Sequence, residues 1–442
     1  MRFLSTEGRS PAADLAAALR QGLAADGGLF VPDALPPLPR SFFDELPGKS
    51  LHESATAVVR HLLGADLAAP VLESIVEEAL DFPIPLVRLS GRVHVLELFH
   101  GPTLAFKDVG ARFLARLLEQ TRDDTKELTV LVATSGDTGG AVAQAFFGVE
   151  GTRVAVLYPR GKVSALQERQ FTTLGGNIRA FAVDGVFDDC QRLVKAAFAD
   201  RELRRRLGLT SANSINVGRL LPQTLYYFHA AAQLEALGRR VAGPRVAGPP
   251  LLFSTPSGNF GNLTAGLMAK ALGLGSRFIA ATNVNDVVPE YLRTGIYSPR
   301  PSAPTISNAM DVGDPSNFAR IRYLYRDDPD RLHADLVGRS YDDAATAAAI
   351  REVDSEHGYL MDPHTAVGYL ALLDVLAGRP ADTDGIVLAT AHPAKFREVV
   401  EPVIGREIEL PPQLASRLDH PVLSEELGND VGELKARLLE WD

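Results

Sequence analysis

The sequence predicts an α/β protein, with parallel sheets following a mostly helical N-terminal region. Three observations carry this. The rhythm of the chain changes near residue 85, from helical patterning to short β-rich runs that alternate with amphipathic stretches. Such alternation marks parallel strands joined by crossover helices. Three of the β-runs end in small polar residues that open directly into a helix. At 442 residues the chain also exceeds what one ordinary hydrophobic core supports, so two or three domains are expected.

Before residue 85, segments 12–25 and 71–80 read as helices, separated by the proline-rich break Leu35-Pro36-Pro37-Leu38-Pro39. Beyond it, strands are expected at 93–99, 128–134, 154–158, 178–183, 251–254, 278–282 and 386–390. Helices follow near 104–119, 139–147, 164–173, 188–199, 217–236, 262–272 and 394–404. The stretch 285–360, rich in Asp, Pro, Arg and Tyr, shows no clear period. The tetrapeptide VAGP occurs at 241 and again at 246, too short for a structural repeat, and reads as an exposed loop.

Composition narrows the function classes. With 46% hydrophobic and 23% charged residues the chain reads as a soluble globular protein. A net charge of −10 and a pI near 5.6 argue against a nucleic-acid partner and an anionic membrane surface. They leave an anionic small substrate open, since a site needs only a few local donors. The single cysteine, Cys190, excludes an intramolecular disulfide and a cysteine-cluster metal site, and fits a buried helix position in a reducing compartment. No metal site is expected. MRFLSTEGRS has no apolar core of a signal peptide, and the weakly charged stretch 249–269 is interrupted by Pro, Ser, Asn and Gly. No membrane span is expected, and the cytoplasm is the expected location.

Lys107, in LFHGPTLAFKDVGARFLARLLEQ, falls on the apolar side of its helix. Asp108, Arg112, Arg116 and Glu119 share one stripe, read as solvated, whereas Lys107 aligns with Ala111, Leu114 and Leu118. Phe106, Val109, Phe113 and Leu117 cover the adjoining side. Desolvation disfavours the ammonium form and frees the amine as a nucleophile, as a Schiff-base lysine requires. On this stretch alone a packed stem with its head in water is the ordinary alternative.

The rest of the chain favours chemistry. Ser135-Gly136-Asp137-Thr138-Gly139, Ser257-Gly258-Asn259-Phe260-Gly261-Asn262 and Thr390-Ala391-His392-Pro393 each bridge a β-run and a helix. In an open α/β sheet such turns lie at the carboxyl ends of strands, where ligands bind. Glycines allow close backbone approach, and helix N-termini favour a carboxylate or phosphate. Taken singly, each is also an ordinary capped connection. Neither glycine turn matches GxGxxG or the P-loop, which disfavours dinucleotides and nucleoside triphosphates. Asn213-Ser214-Ile215-Asn216 precedes a long helix with Arg219 in its first turns, and this set suits a second phosphate better than a plain N-cap. Lys162 either closes over that phosphate or is a solvated loop lysine. His100 and His392 flank two of the turns as structural hydrogen-bonding residues or as catalysts.

HGPTLAFKDVG, TSGDTGGA, NSINVGR, PSGNFGN and ATAHPAKF, preceded by FLSTEG and LAADGGLFVPD, resemble the threonine synthase family of fold type II pyridoxal-phosphate enzymes. The resemblance runs in order from about residue 3 to about residue 405. It implies two open parallel-sheet α/β domains with an added N-terminal domain. Residues 1–85 would be the N-terminal domain, 86–215 the smaller domain with the lysine, and 216–442 the larger domain with the cofactor phosphate loop and C-terminal tail. It further implies that Lys107 holds pyridoxal 5'-phosphate (PLP) and moves protons, and that Gly258, Asn259, Phe260, Gly261 and Asn262 cradle the cofactor phosphate. Thr390 would face the pyridine nitrogen, Ser135, Gly136 and Thr138 would grip the substrate carboxylate, and Asp137 would lie close to the ring oxygen. Many fold type II relatives carry Asn where this chain has Asp137. The second anion receptor, Asn213, Ser214 and Arg219 with Lys162, then suits the substrate's own phosphate. The implied reaction takes O-phospho-L-homoserine and water to L-threonine and phosphate, in a monomer or homodimer. Competing readings are another fold type II lyase, such as a serine or threonine dehydratase or a phospho-lyase, and a non-catalytic scaffold relative.

Overall fold

A computed structural model describes residues 1–122, 127–239 and 250–441. The VAGP pair at 241 and 246 lies outside the described residues. The chain forms two compact units, each assembled from separated stretches. One comprises Met1, Pro32–Gly101 and Leu220–Glu409; the other comprises Arg2–Val31, Pro102–Arg219 and Leu410–Asp442.

The first unit holds a six-stranded sheet in the order Leu336–Ser340, Ser276–Thr282, Leu251–Pro256, Gly385–Ala389, Val93–Glu97, Leu86–Ser90. All pairs are parallel except the last, an antiparallel hairpin. Leu251–Pro256 and Gly385–Ala389 are buried along their whole length, which explains their continuous apolar reading in sequence. Helix Pro363–Ala377 packs on these central strands, capped by the Asp362 carboxylate with Pro363 at its first position. The helix expected over 217–236 is two helices, Val217–Leu220 and Gln223–Ala236, because Pro222 has no N–H to continue the ladder.

The second unit holds an all-parallel five-stranded sheet in the order Glu425–Leu427, Ile178–Val183, Thr152–Pro159, Leu128–Ala133, Leu209–Thr210. Its core is apolar and mostly aliphatic, and includes Leu131, Leu157, Phe181, Leu193 and Leu434. Cys190 lies in it, fully buried, and burial raises its thiol pKa to about 12. Helices Lys107–Thr121 and Asp137–Phe146 pack side by side.

In both units the turns that carry the candidate residues follow interior strands. Leu128–Ala133 leads into 134–138, Leu251–Pro256 into 257–262, and Gly385–Ala389 into 390–393. Among the described residues no helix is long and apolar enough to cross a membrane.

Candidate active site

The second unit carries Lys107, the turn 135–138 and the segment 213–219. Lys107 is the first residue of its helix and is half-buried, with Nζ 5.8 Å from the centroid of the Phe106 ring. The helix begins three residues later than the pattern suggested, because Leu104 has a left-handed backbone (φ 57°) that a helix cannot contain.

Asp108 is the clear correction. It is not on a solvated stripe with Arg112, Arg116 and Glu119; it is fully buried. Thr103 donates to it from its backbone N–H at 2.9 Å and from its hydroxyl at 2.5 Å. These bonds fold the residues ahead of Lys107 back onto the first helical turn. A helical wheel treats every position as part of a long cylinder and has no term for such a loop.

The turn 134–139 is braced from within. The Thr134 hydroxyl accepts from the N–H groups of Gly136 (3.0 Å) and Gly139 (2.8 Å) and donates to the Gly136 carbonyl. Gly136 has φ 144°, and a Cβ there would stand 2.7 Å from the Gln167 side chain. Ser135 and Thr138 are half-buried, and their backbone N–H groups meet no acceptor among the described residues. Backbone donors at a helix N-terminus are a geometry that suits a small anion. Asp137 is buried beside it, its carboxylate accepting from Gln167 Nε2 at 2.8 Å. Gln167 is thus a neighbour of Asp137 that the sequence did not point to, because it lies on a different helix. Gln170 of that helix donates to the Thr103 carbonyl at 3.0 Å, tying it to the loop before Lys107.

In 213–219, Asn213 and Ser214 are half-buried, and Asn213 Oδ1 has no partner among the described residues. Arg219 is only 4% exposed. It donates to the Ala212 carbonyl at 2.8 Å, and burial pulls its guanidinium pKa down to about 10 against the opposing pull of the Asp108 charge. Its carbonyl lies against Gly110, where a Cβ would be 2.8 Å away, so the segment and the lysine helix touch backbone to backbone. Lys162 is exposed in the turn after Thr152–Pro159.

The first unit carries the turn 257–262 and Thr390. Phe260 takes a left-handed conformation (φ 59°) as N-cap of helix Gly261–Ala271. The Asn262 side chain is committed inward: its Oδ1 accepts from the Ser257 hydroxyl at 2.6 Å and its Nδ2 donates to the Pro256 carbonyl at 2.9 Å. Asn262 therefore shapes the turn with its amide, and its backbone N–H stands at the helix start. The backbone N–H groups of Gly258, Asn259, Phe260, Gly261 and Asn262 meet no acceptor among the described residues. A row of donors at a helix N-terminus, with no room at Gly258 for a side chain, fits a phosphate group.

Thr390 is 6% exposed at the end of Gly385–Ala389. The neighbouring histidines have structural partners. His100 pairs with Glu97 at 2.7 Å, and Glu97 also accepts from the Tyr359 hydroxyl at 2.9 Å. His392 Nδ1 accepts from Ala394 N–H, capping the short helix Pro393–Phe396. Burial pushes the pKa values of His392 and His229 down to about 4. A ring with a folded pKa below its unfolded value of about 6.5 contributes stability that is complete above that pH and lost as pH falls toward the folded value. The melting temperature is therefore expected to fall between about pH 6.5 and 4. In His392→Asn, which can still accept from Ala394 N–H, that fall should be smaller; an identical acid-side profile would contradict the assignment.

Known proteins similar to this chain share one family. A family model described as pyridoxal-phosphate dependent enzyme matches residues 80–390. Models for the threonine synthase N terminus and C-terminal region match 2–80 and 365–437. The threonine synthase of Haemophilus influenzae is 47% identical over 424 residues, covering 96% of each chain. The crystal structure of threonine synthase from Escherichia coli superposes with a TM-score of 0.91 at 46% identity, covering 100% of both chains. A PLP-bound threonine synthase structure from Brucella melitensis gives a TM-score of 0.91 at 36% identity, covering 100% of this chain and 99% of that one. By these family models, relatives and solved structures, this chain belongs to the threonine synthase family of PLP-dependent enzymes.

Proposed function

We propose that the protein converts O-phospho-L-homoserine and water to L-threonine and phosphate, the last step of threonine biosynthesis. The observation that carries this reading is the number of anion receptors. The turn 257–262 suits the cofactor phosphate, the turn 135–138 suits an amino-acid carboxylate, and 213–219 supplies a third receptor that a plain hydroxyamino acid does not need. Family membership points the same way.

When bound, PLP stabilises negative charge on substrate carbons conjugated to its ring. The rest falls to this chain's own residues. Lys107 Nζ would hold the cofactor and, when free, would take protons from the substrate's α- and β-carbons and return one to the γ-carbon as phosphate leaves and one to the α-carbon after water has added. Ser135 and Thr138 N–H groups, with the Gly136 backbone between them, fix the carboxylate, while Gln167 holds Asp137 in its orientation beside them. Asn213 and Ser214 receive the γ-phosphate, and the buried Arg219 adds positive charge behind them as the C–O bond breaks. Lys162 is the outermost member of the same receptor. Thr390 offers the ring nitrogen a hydroxyl, which leaves that nitrogen less charged than a carboxylate would.

A cytoplasmic location and a monomeric or homodimeric state belong to the same proposal. Turnover in ¹⁸O-labelled water tests the chemistry. Label is expected in the threonine hydroxyl and absent from the phosphate. Labelled phosphate with unlabelled homoserine would mean P–O hydrolysis, and 2-oxobutanoate with ammonia would mean a lyase that stops early. Thr390→Asp should fold normally but shift cofactor absorbance and the ratio of threonine to keto-acid product. No change in either would place Thr390 away from the ring nitrogen.

A further inference from the structure

The internal bonds of the turn 257–262 do not set its shape alone. Gly258 is pressed against the segment 309–312: a Cβ there would stand 2.7 Å from the Ala309 carbonyl oxygen, 2.9 Å from Met310 Cα and 3.0 Å from a Val312 methyl. Asn259 leans on the continuation of that segment, accepting at its carbonyl from Asn317 N–H and at its side chain from Ser316, each at 3.3 Å. The position of the phosphate donors therefore depends on whatever fixes residues 309–312.

Ala309 N–H donates to Nε2 of His364 at 3.1 Å. A backbone N–H can only donate, so Nε2 carries no proton and Nδ1 carries the one that the ring has. Nδ1 donates to the Asp362 carboxylate at 2.6 Å. Asp362 is itself fixed by the backbone N–H groups of His364 (2.9 Å) and Thr365 (3.2 Å) and by the Thr365 hydroxyl. Asp362 is 1% exposed and His364 3%. The imidazole also packs on Phe396, centroids 4.9 Å apart, in the short helix that follows Thr390. One ring thus touches the wall of the phosphate turn and the segment leading from Thr390.

We propose that Asp362 and His364 are positioning residues for the cofactor phosphate, acting through Ala309 and Met310 on Gly258. The proposal rests on the reading that 258–262 holds that phosphate. A helix N-cap requires only the Asp362 carboxylate. The histidine adds nothing to the cap and instead carries the carboxylate's orientation across to the loop. The far side of the loop is held independently. Asp311 accepts from the Thr305 hydroxyl (2.7 Å), Thr305 N–H (3.0 Å) and Asn283 Nδ2 (2.9 Å). Loss of His364 should therefore loosen the edge that faces Gly258 and leave the rest of the loop in place.

The test measures cofactor affinity of the apoenzyme, with PLP and with pyridoxal, which lacks the phosphate, as probes. His364→Leu is expected to weaken PLP binding by about tenfold to a hundredfold, on the scale known for outer partners of metal ligands. It should leave pyridoxal binding near that of the parent, while the apoenzyme melting temperature falls because the buried Asp362 carboxylate and Ala309 N–H lose their shared partner. His364→Gln, whose Oε1 can accept from Ala309 N–H, should restore most PLP affinity. Gly258→Ala reports on the phosphate turn itself and should also weaken PLP binding selectively. If Gly258→Ala weakens PLP binding but His364→Leu does not, the positioning role is overturned and the turn assignment stands. If neither weakens it, the turn assignment fails and the positioning role with it. Should His364→Leu not fold, the glutamine variant decides, and PLP affinity lost in a folded His364→Gln overturns the proposal.

Discussion

Lys107→Ala is expected to lose turnover by about 10⁴-fold or more while still taking up PLP. Positioned proton transfer alone is worth roughly 10² to 10⁴ in rate, and this residue also serves as the nucleophile that holds the cofactor. Its replacement removes both contributions at once. Cofactor uptake should survive because the phosphate donors of 258–262 belong to a separate turn with its own internal bonds. Lys107→Arg should be equally inactive, since a guanidinium is neither a nucleophile nor a base near neutral pH. Phosphate release and PLP retained through gel filtration are the two readings required. Turnover within about tenfold of the parent would show that another lysine does this work.

Arg219→Ala should damage both stability and substrate recognition. Arg219 and Asp108 are buried together, and removing one member of a buried pair costs about 3–5 kcal/mol because the remaining charge stays desolvated. The loss also removes the positive charge behind Asn213 and Ser214, for which about 2–4 kcal/mol of transition-state stabilisation is expected. Denaturant unfolding reads the first effect. The second is read as kcat/KM for O-phospho-L-homoserine, expected to fall about a hundredfold or more, with weaker inhibition by inorganic phosphate. Cofactor affinity should hold. An Arg219→Ala protein that unfolds normally late but sheds PLP, with phosphate inhibition unchanged, would mean that the two phosphate receptors are interchanged.

The sequence was most informative where burial is uniform. The central strands Leu251–Pro256, Gly385–Ala389 and Leu128–Ala133 are buried throughout, so their composition alone marks them. The edge strands Leu336–Ser340 and Glu425–Leu427 are partly exposed and were not among the expected strands, because neither carries a continuous apolar run. Strand 385–389 inserts between 251–256 and 93–97, and no local pattern announces so distant a pairing. The same limit governed the site. Lys107, Gly136 and Gly258 stand in turns whose chemistry is local, and they were legible. Gln167, which orients Asp137, and His364, which reaches Ala309, act across 30 and 55 residues and carry no sequence mark of their partners. Asp108 was misread because its carboxylate turns back to Thr103, out of the helical register that the wheel assumes.

Lys395 provides the sharpest rival to the lysine assignment. It is fully buried and follows Thr390 in the same segment of the first unit. Borohydride reduction of the PLP-loaded protein fixes the cofactor to the lysine that carries it, and peptide mass mapping then locates the pyridoxyl group. The account predicts a single modified peptide, labelled at Lys107. A label on Lys395, or on any other lysine, would contradict it.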